Sequence, residues 1–482
     1  MAISKILTYV WRMIIARTGT DAYGLFSIGL AILSIATVAS LLGLANGIER
    51  YAAYYHGKNE PEKVRGTIIT SFKISLALSL VIGTLLFIFA EQLATSLFNK
   101  PETAIVIQFM ALALPAATLS ELCFSTMKAL KQIKYAVLSK NVLDSLFKII
   151  LAAIPTAMSL GILGLSVGYA IATFITFLTL FYFLDKKVFS ITSRTAIKIS
   201  VTRELVVFSA PLVLVSIISS SFFIIDTIAL GILKNATEVG IYNAAAPTAT
   251  LLLIVPTALL SLFLPLIAGE YAKENKEQII SAYRTVSKWI LLVNLPVLFG
   301  IILFSHTMIL TFFGSDYASA TVPLIILSAG YFVLSFFWTS LYLLSMLKKS
   351  MHIMIFAIAN AGINLALAFL LIPEHGLIGA ATSTAVAMTI YGLLLFVGAH
   401  NYFRINPLSK KTAFFGVAAT TVFGVATALS FGLELNLLEK VFLFLAILLL
   451  YSLAAIKLRL IGQMEKEIFT RGLIRIGFKG KL

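Results

Sequence analysis

The sequence predicts an all-α polytopic membrane protein of about fourteen transmembrane helices, arranged as two parallel six-helix repeats and two appended C-terminal helices. Three observations predict it. Of the 482 residues, 60% are hydrophobic and 12% charged, more apolar surface than a water-soluble chain can bury. Apolar runs of about 20 residues recur along the whole length, each long enough to cross a bilayer. Backbone groups inside lipid must be satisfied within their own segment, so these runs are read as helices. Third, short motifs return at an offset of 215 or 216 residues. Asp21-Ala22-Tyr23-Gly24-Leu25-Phe26 is echoed by Thr237-Glu238-Val239-Gly240-Ile241-Tyr242, and Gly57-Lys58-Asn59-Glu60 by Ala272-Lys273-Glu274-Asn275. Leu97-Phe98 returns as Phe312-Phe313, and Gly161-Ile162-Leu163-Gly164 as Gly376-Leu377-Ile378-Gly379. Parallel repeats in a membrane are a signature of transporters that rock two lobes about a central site.

The expected spans are 2–17, 23–48, 67–90, 103–127, 135–158 and 163–184 in the first unit. In the second they are 204–232, 240–267, 285–305, 320–346, 350–372 and 377–400, followed by 411–431 and 437–456. The organisation is then an N-terminal lobe over 1–200, a C-terminal lobe over 201–405, two appended helices in 406–456 and a basic tail over 457–482. Loop charge sets the orientation. With the N-terminus inside, the inner loops and tail hold 29 of the 37 Lys and Arg, whereas the outer loops hold four, Arg17, Lys100, Lys234 and Lys440. Both termini are therefore expected in the cytoplasm. The net charge of +16 is absorbed by these loops and is no sign of nucleic-acid binding.

The first span is short, and by the repeat it lacks about a dozen residues at one end; a late start of the chain is the favoured reading. It is not read as a signal peptide: Arg12 interrupts the apolar stretch and no small-residue cleavage pattern follows. The tail places Leu460, Ile461, Met464, Ile468, Leu473 and Ile476 at roughly helical spacing, the pattern of an amphipathic helix on an anionic inner surface. Asn235-Ala236-Thr237 is a sequon on an outer loop too short to suggest use.

Enzyme motifs are missing. The chain has no GxxxxGK[ST], HExxH or CxxC, which argues against an ATPase or a metal site. Its one cysteine, Cys123, excludes an intramolecular disulfide and reads as a small core residue. The five histidines fall at span ends. No cofactor is expected.

Ionisable residues inside spans are informative because each costs about 2.5–3.5 kcal/mol at a helix centre. Asp144 and Lys148 are four apart, on one face of span five. They are either a self-neutralising structural pair or the lining of a wet cavity that meets a charged head group or coupling ion. Their counterparts in span eleven read as apolar or small, so charge is confined to the first lobe. Asp226 in span seven has no basic neighbour on its helix and is a candidate proton or cation site; a cap, or a partner for an Arg elsewhere, is the structural alternative. Glu121 can pair with a loop lysine. Arg12 and Arg17 flank the short first span and suit phosphate oxygens if that helix lines a cleft, though Arg17 also fits a simple boundary role. Lys73 and its repeat partner Lys288 read as interface anchors that snorkel. Prolines such as Pro115, Pro155 and Pro373 mark places where helices can kink.

Several stretches carry a family resemblance: Arg17-Thr18-Gly19-Thr20-Asp21-Ala22-Tyr23-Gly24-Leu25-Phe26, Leu42-Gly43-Leu44-Ala45-Asn46-Gly47-Ile48-Glu49-Arg50 and Val239-Gly240-Ile241-Tyr242-Asn243-Ala244-Ala245. The most telling is Phe313-Gly314-Ser315-Asp316-Tyr317 with Ala320 and Pro323-Leu324; Ile372-Pro373-Glu374-His375-Gly376 and the residues to Ala381 follow the same pattern. With these, nearly the whole chain resembles the polysaccharide-biosynthesis membrane proteins, the Wzx-like oligosaccharide-lipid flippases of the MATE-like exporter (MOP) superfamily. The resemblance implies a two-lobed, alternating-access transporter that moves polyisoprenyl-phosphate-linked sugars from the inner to the outer leaflet of a prokaryotic cell membrane. It also implies lipid-linked oligosaccharide as cargo, glycan-assembly enzymes as partners and no catalysis by the chain itself. The short first span departs from the family pattern and touches Arg12's surroundings. The alternatives are a proton- or sodium-coupled drug or metabolite antiporter of the same fold, a lipid II flippase, and a membrane glycosyltransferase, which should show a large outer loop that this chain lacks.

Overall fold

The computed structural model describes residues 2–191, 202–209, 224–260, 275–347, 349–404, 406–458 and 460. Among them all regular structure is helical and no strand occurs. Ten helices are long and apolar enough to cross a membrane among the described residues.

The difference from fourteen has local causes. Helix α1 (Ala2–Ala16) has only 15 residues. Span five is divided into Ile133–Val137, a π-helical segment Leu138–Leu143 and Asp144–Ala157. In span seven, only Thr202–Ser209 and Ile225–Leu233 are helices within the described residues. Spans eleven and twelve run together as Ser350–Phe403, two helices joined across a kink at Gly376 (φ 51°, ψ −123°). Much of the expected tail, 461–482, lies outside the described residues, as do 210–223 and 261–274.

In chain order the other principal helices are α2 (Thr20–Leu41), α3 (Leu44–Gly57), α4 (Pro61–Ile88), α5 (Thr103–Ala129), α6 (Asp144–Ala157) and α7 (Gly161–Phe183). They continue as α8 (Ile225–Leu233), α9 (Ala236–Ala249), α10 (Lys276–Phe312), α11 (Thr321–Met346), α12 (Ser350–Phe403), α13 (Lys410–Gly432) and α14 (Leu437–Lys457). The expected span 23–48 is broken: Leu42 (φ 46°) and Gly43 (φ 70°) are left-handed and end α2, so the residues read as an inner loop begin inside α3.

The chain divides into two compact units. The first comprises Met1–Pro247, Phe312–Ala320 and Asn364–Ala380; the second comprises Thr248–Thr311, Thr321–Ile363 and Ala381–Leu482. In the first, α5 is the central post against which α2, α4 and α7 pack. Its core holds Leu44, Ile48, Val64, Ile68 and Leu122, with Cys123, Met127 and Leu180 alongside. In the second, α10, α13 and α14 share Leu295, Phe299, Ala419, Phe423 and Ile447, with the rings of Phe299 and Phe423 stacked at 4.9 Å.

The glycine echoes have a physical basis. Gly161 (φ +59°) and Gly376 (φ +51°) both occupy the left-handed region that side chains avoid, at the same place in each repeat. Three residues later, a Cβ on Gly164 would press on Pro155 and Leu160, and one on Gly379 would strike the Leu371 carbonyl. Gly24 and Gly240 meet face to face: a Cβ on either would fall on the other helix's backbone, at Ala236 or Thr20. Beside them Thr237 donates a hydrogen bond to the Asp21 carboxylate, linking two residues 216 apart.

Candidate functional site

A cavity of about 480 Å³ opens within the first unit between α2, α5, the π-helical segment, α6 and α7. Four charged side chains line it. Lys140 Nζ lies 2.9 Å from Glu121 Oε1, and Lys148 Nζ lies 2.9 Å from Asp144 Oδ2. Lys140, Asp144 and Lys148 are spaced four apart, so charges of alternating sign run down one side of the cavity. Lys140 lies within the π-helical segment, a local widening that often accompanies a functional site.

The pair at Asp144 and Lys148 is held from three sides. Thr176 Oγ1 donates to Asp144 Oδ1 at 3.0 Å. The ammonium of Lys148 stands 5.1 Å from the Tyr169 ring centre and 5.9 Å from that of Trp11. Lys148 and Asp144 keep some exposure, 19% and 13% respectively, so they meet the cavity. Removing one partner would leave the other charge uncompensated, whereas the intact pairs make a polar surface inside an apolar wall. Ser120, Thr173 and Thr37 add hydroxyls. Carboxylates and hydroxyls can bond sugar hydroxyls, ammonium groups can meet phosphate oxygens, and Tyr169 offers an aromatic face.

The expected pairing of Glu121 with a loop lysine is thus present, to Lys140. Sequence reasoning counted Lys140 only as loop charge; its place beside Glu121 depends on the π-helical segment, which has no simple sequence signal. Tyr169 and Trp11 were not singled out either.

Arg12 and Arg17, expected as cavity charges, do not line this cavity. Arg17 is exposed just past the end of α1, where the helix has already stopped. Arg12 points to Tyr23: its Nη1 donates to Tyr23 Oη at 3.3 Å. Tyr23 in turn donates to the Asn243 carbonyl at 2.9 Å, and Asn243 Nδ2 donates to Thr227 Oγ1 at 3.2 Å. Next to Thr227, Asp226 is 4% exposed and accepts from Tyr242 Oη at 2.5 Å. A polar chain thus runs from Arg12 to Thr227, and the Asp226–Tyr242 pair stands beside its far end, apart from the Asp144 and Lys148 pair.

The counterparts of that pair depend on which of the two repeat offsets is used. At an offset of 215 they are Ala359 and Ile363, small and apolar; one residue further along stand Asn360 and Asn364, each 2% exposed. The offset of 216, which also occurs among the repeated motifs, reaches the two amides. At that offset the second repeat thus sets two buried amides, four apart, against the half-buried carboxylate and ammonium of the first.

Outside the cavity, Lys100 Nζ donates to the carbonyls of Gly231, Lys234 and Phe98 at 2.5, 2.7 and 2.8 Å, covering the end of α8. In the other direction, Tyr317 Oη donates at 2.9 Å to the Ala16 carbonyl that ends α1. Asn235 of the sequon accepts from the Glu238 amide at 2.8 Å, so its side chain serves as a helix cap.

A family model described as "Polysaccharide biosynthesis protein" matches residues 1–269, and one described as "MatE" matches 211–370. The chain is 24% identical to the "Putative O-antigen transporter" of Shigella flexneri over 78% of this chain and 89% of that protein. It is 26% identical to the "Probable low-salt glycan biosynthesis flippase Agl15" of Haloferax volcanii, over 35% of this chain and about a third (36%) of that relative's length. Among solved structures it is similar to "Lipid II flippase MurJ, inward closed conformation" with a TM-score of 0.74 at 15% identity, covering 95% of this chain and 99% of that one. That likeness shows the fold, a multi-pass helical membrane fold.

Proposed function

The chain belongs to the polysaccharide biosynthesis protein family, and from that premise we propose that it is a transporter flipping lipid-linked oligosaccharide from the inner to the outer leaflet of a prokaryotic cell membrane. The cargo in this reading is a polyisoprenyl-phosphate-linked glycan, both termini face the cytoplasm, and lobes 1–200 and 201–405 alternate access. The chain itself catalyses no bond change; glycan-assembly enzymes supply and consume the cargo.

One observation carries the reading: a membrane-embedded cavity with two ammonium groups, two carboxylates, hydroxyls and an aromatic face. Lys140 and Lys148 would meet the phosphate, and Glu121, Asp144 and Thr176 the sugar hydroxyls. The family name and the names of the glycan transporters it resembles support the same cargo class. Arg12 and Arg17 in this reading act outside the cavity, Arg12 through Tyr23.

A second reading rests on Asp226. A buried carboxylate bonded to Tyr242 and next to a polar network is a site where a proton or sodium ion can couple to movement. In a cation-coupled antiporter of the same fold it would be the central residue; in the flippase it would be the coupling site.

The test is flipping by purified protein in liposomes, using a fluorescent polyisoprenyl-diphosphate sugar and a cationic dye as control cargo. Movement of the lipid-sugar is expected. Movement of the dye alone, driven by a proton or sodium gradient, would replace the flippase reading with the antiporter.

A further inference from the structure

In the second unit a smaller cavity, of about 190 Å³, sits where α10 meets the start of α13. Its polar lining is Arg284, Thr285, Lys288, Ser409, Lys411 and Thr412, and among the described residues no acidic side chain lines it. Three cations share this small volume.

The helices explain why the charges gather. α10 opens with polar turns through Arg284 and Lys288 and becomes apolar from Trp289 onward. α13 opens with Lys410 and Lys411 and becomes apolar from Ala413. Side by side, the two polar-to-apolar boundaries lie at one level. Directly inward is an apolar cluster of Leu292, Phe415, Ala455 and Leu460, tied by Tyr451 Oη donating to the Leu292 carbonyl at 3.0 Å. The cavity is therefore at the depth of lipid head groups, above an apolar floor.

The local bonds fix the frame. Ser409 caps α13, its Oγ accepting from the Thr412 amide at 3.2 Å. Lys288 Nζ donates to the Leu460 carbonyl at 2.7 Å, and Arg284 Nε to the Asn406 carbonyl at 3.3 Å. Arg284 keeps its terminal guanidinium nitrogens beyond that one bond, and Lys411 is exposed. The start of α13 adds the partial positive charge of a helix N-terminus.

We infer that this cavity binds the phosphate of an anionic phospholipid, distinct from the transported cargo. A tetrahedral phosphate satisfies a fork of guanidinium donors and point-charge ammonium groups together, and basic pockets between transmembrane helices hold such head groups. The acyl chains have a surface to follow: Phe414 and Val417, on the outward face of α13, are 74% and 68% exposed. A free phosphate would use the cations but not that face. The inference is independent of the flippase reading, because it concerns neither the charged cavity nor movement of cargo.

The test uses full-length protein in a neutral detergent and native mass spectrometry, with a thermal-shift assay alongside. Phosphatidylglycerol, phosphatidylcholine, glycerol phosphate and inorganic phosphate are each added. Phosphatidylglycerol is expected to stay bound and raise the melting temperature, while phosphatidylcholine does not. The double variant Arg284→Gln, Lys411→Gln, altering two exposed side chains, is expected to fold normally and bind phosphatidylglycerol about tenfold more weakly. Equal retention of both lipids, or unchanged affinity in the folded variant, would overturn the site. An equal shift from inorganic phosphate or glycerol phosphate at matched concentration would overturn the lipid as its occupant.

Discussion

The two repeats differ most where they carry their buried polar residues. In the first, Asp144 and Lys148 form an ion pair that meets a 480 Å³ cavity. In the second, Asn360 and Asn364 stand at nearly matched positions, four apart and buried, with no formal charge. Two glycine features are shared: the left-handed glycines Gly161 and Gly376 coincide, and Gly24 packs against Gly240. The lesson is that the glycine turn is kept in both halves while, among the described residues, this ion pair stands in one. Amides can bond a glycan's hydroxyls, whereas the first repeat sets at this place an ammonium group that can also meet a phosphate.

The sharpest way to break the comparison is Lys148→Ala. It leaves Asp144 without its partner in a membrane-embedded site, and a loss of about 3–5 kcal/mol in stability is expected, read as lower melting temperature and yield. The double variant Asp144→Asn, Lys148→Asn imitates the second repeat. It should recover most of that stability and still flip lipid-sugar about tenfold or more slowly than wild type, the equivalent of losing a charge-assisted hydrogen bond of about 1.5–3 kcal/mol. Wild-type transport in a well-folded double variant would make the pair structural.

Where the repeats match, matched effects are expected. Gly24→Ala and Gly240→Ala each place a methyl group against the opposite backbone, and each should destabilise by about 1–3 kcal/mol in thermal unfolding. A large loss in one and none in the other would show that the contact is not shared evenly.

Asp226→Asn keeps the shape of the side chain beside Tyr242 and removes its charge. Transport should persist but lose its dependence on a proton or sodium gradient, measured by collapsing each gradient separately. A working variant with unchanged gradient dependence would exclude the coupling role. The smallest effect is expected for Arg17→Ala: an exposed residue away from the cavity should leave transport within about twofold of wild type and stability within about 0.5 kcal/mol.

Much of the scaffold is legible in the sequence because membrane constraints act locally. Apolar length predicts helices, and the glycines at 161 and 376 are legible as a repeated motif, whose left-handed turns give it a physical reason. The Asp144 and Lys148 pair was legible from spacing alone. What escaped depends on backbone departures a few residues wide. Leu42, a residue with no strong turn preference, takes a left-handed conformation and splits the expected second span. The π-helical segment at Leu138–Leu143 carries Lys140, which stands beside Glu121. Arg12 looked like a cavity charge because short range gives no direction; its partner Tyr23 lies on the next helix.

The most direct measurement is the initial rate of lipid-sugar flipping in liposomes for wild type, the Asp144→Asn, Lys148→Asn variant and an Asn360→Ala, Asn364→Ala variant, each at matched folded protein. If ionic recognition resides in the first repeat, the first variant loses flipping at least about tenfold, while the second retains most of it against a loss of neutral hydrogen bonds of about 1 kcal/mol each. Equal losses in both, or a greater loss from the asparagines, would contradict the account.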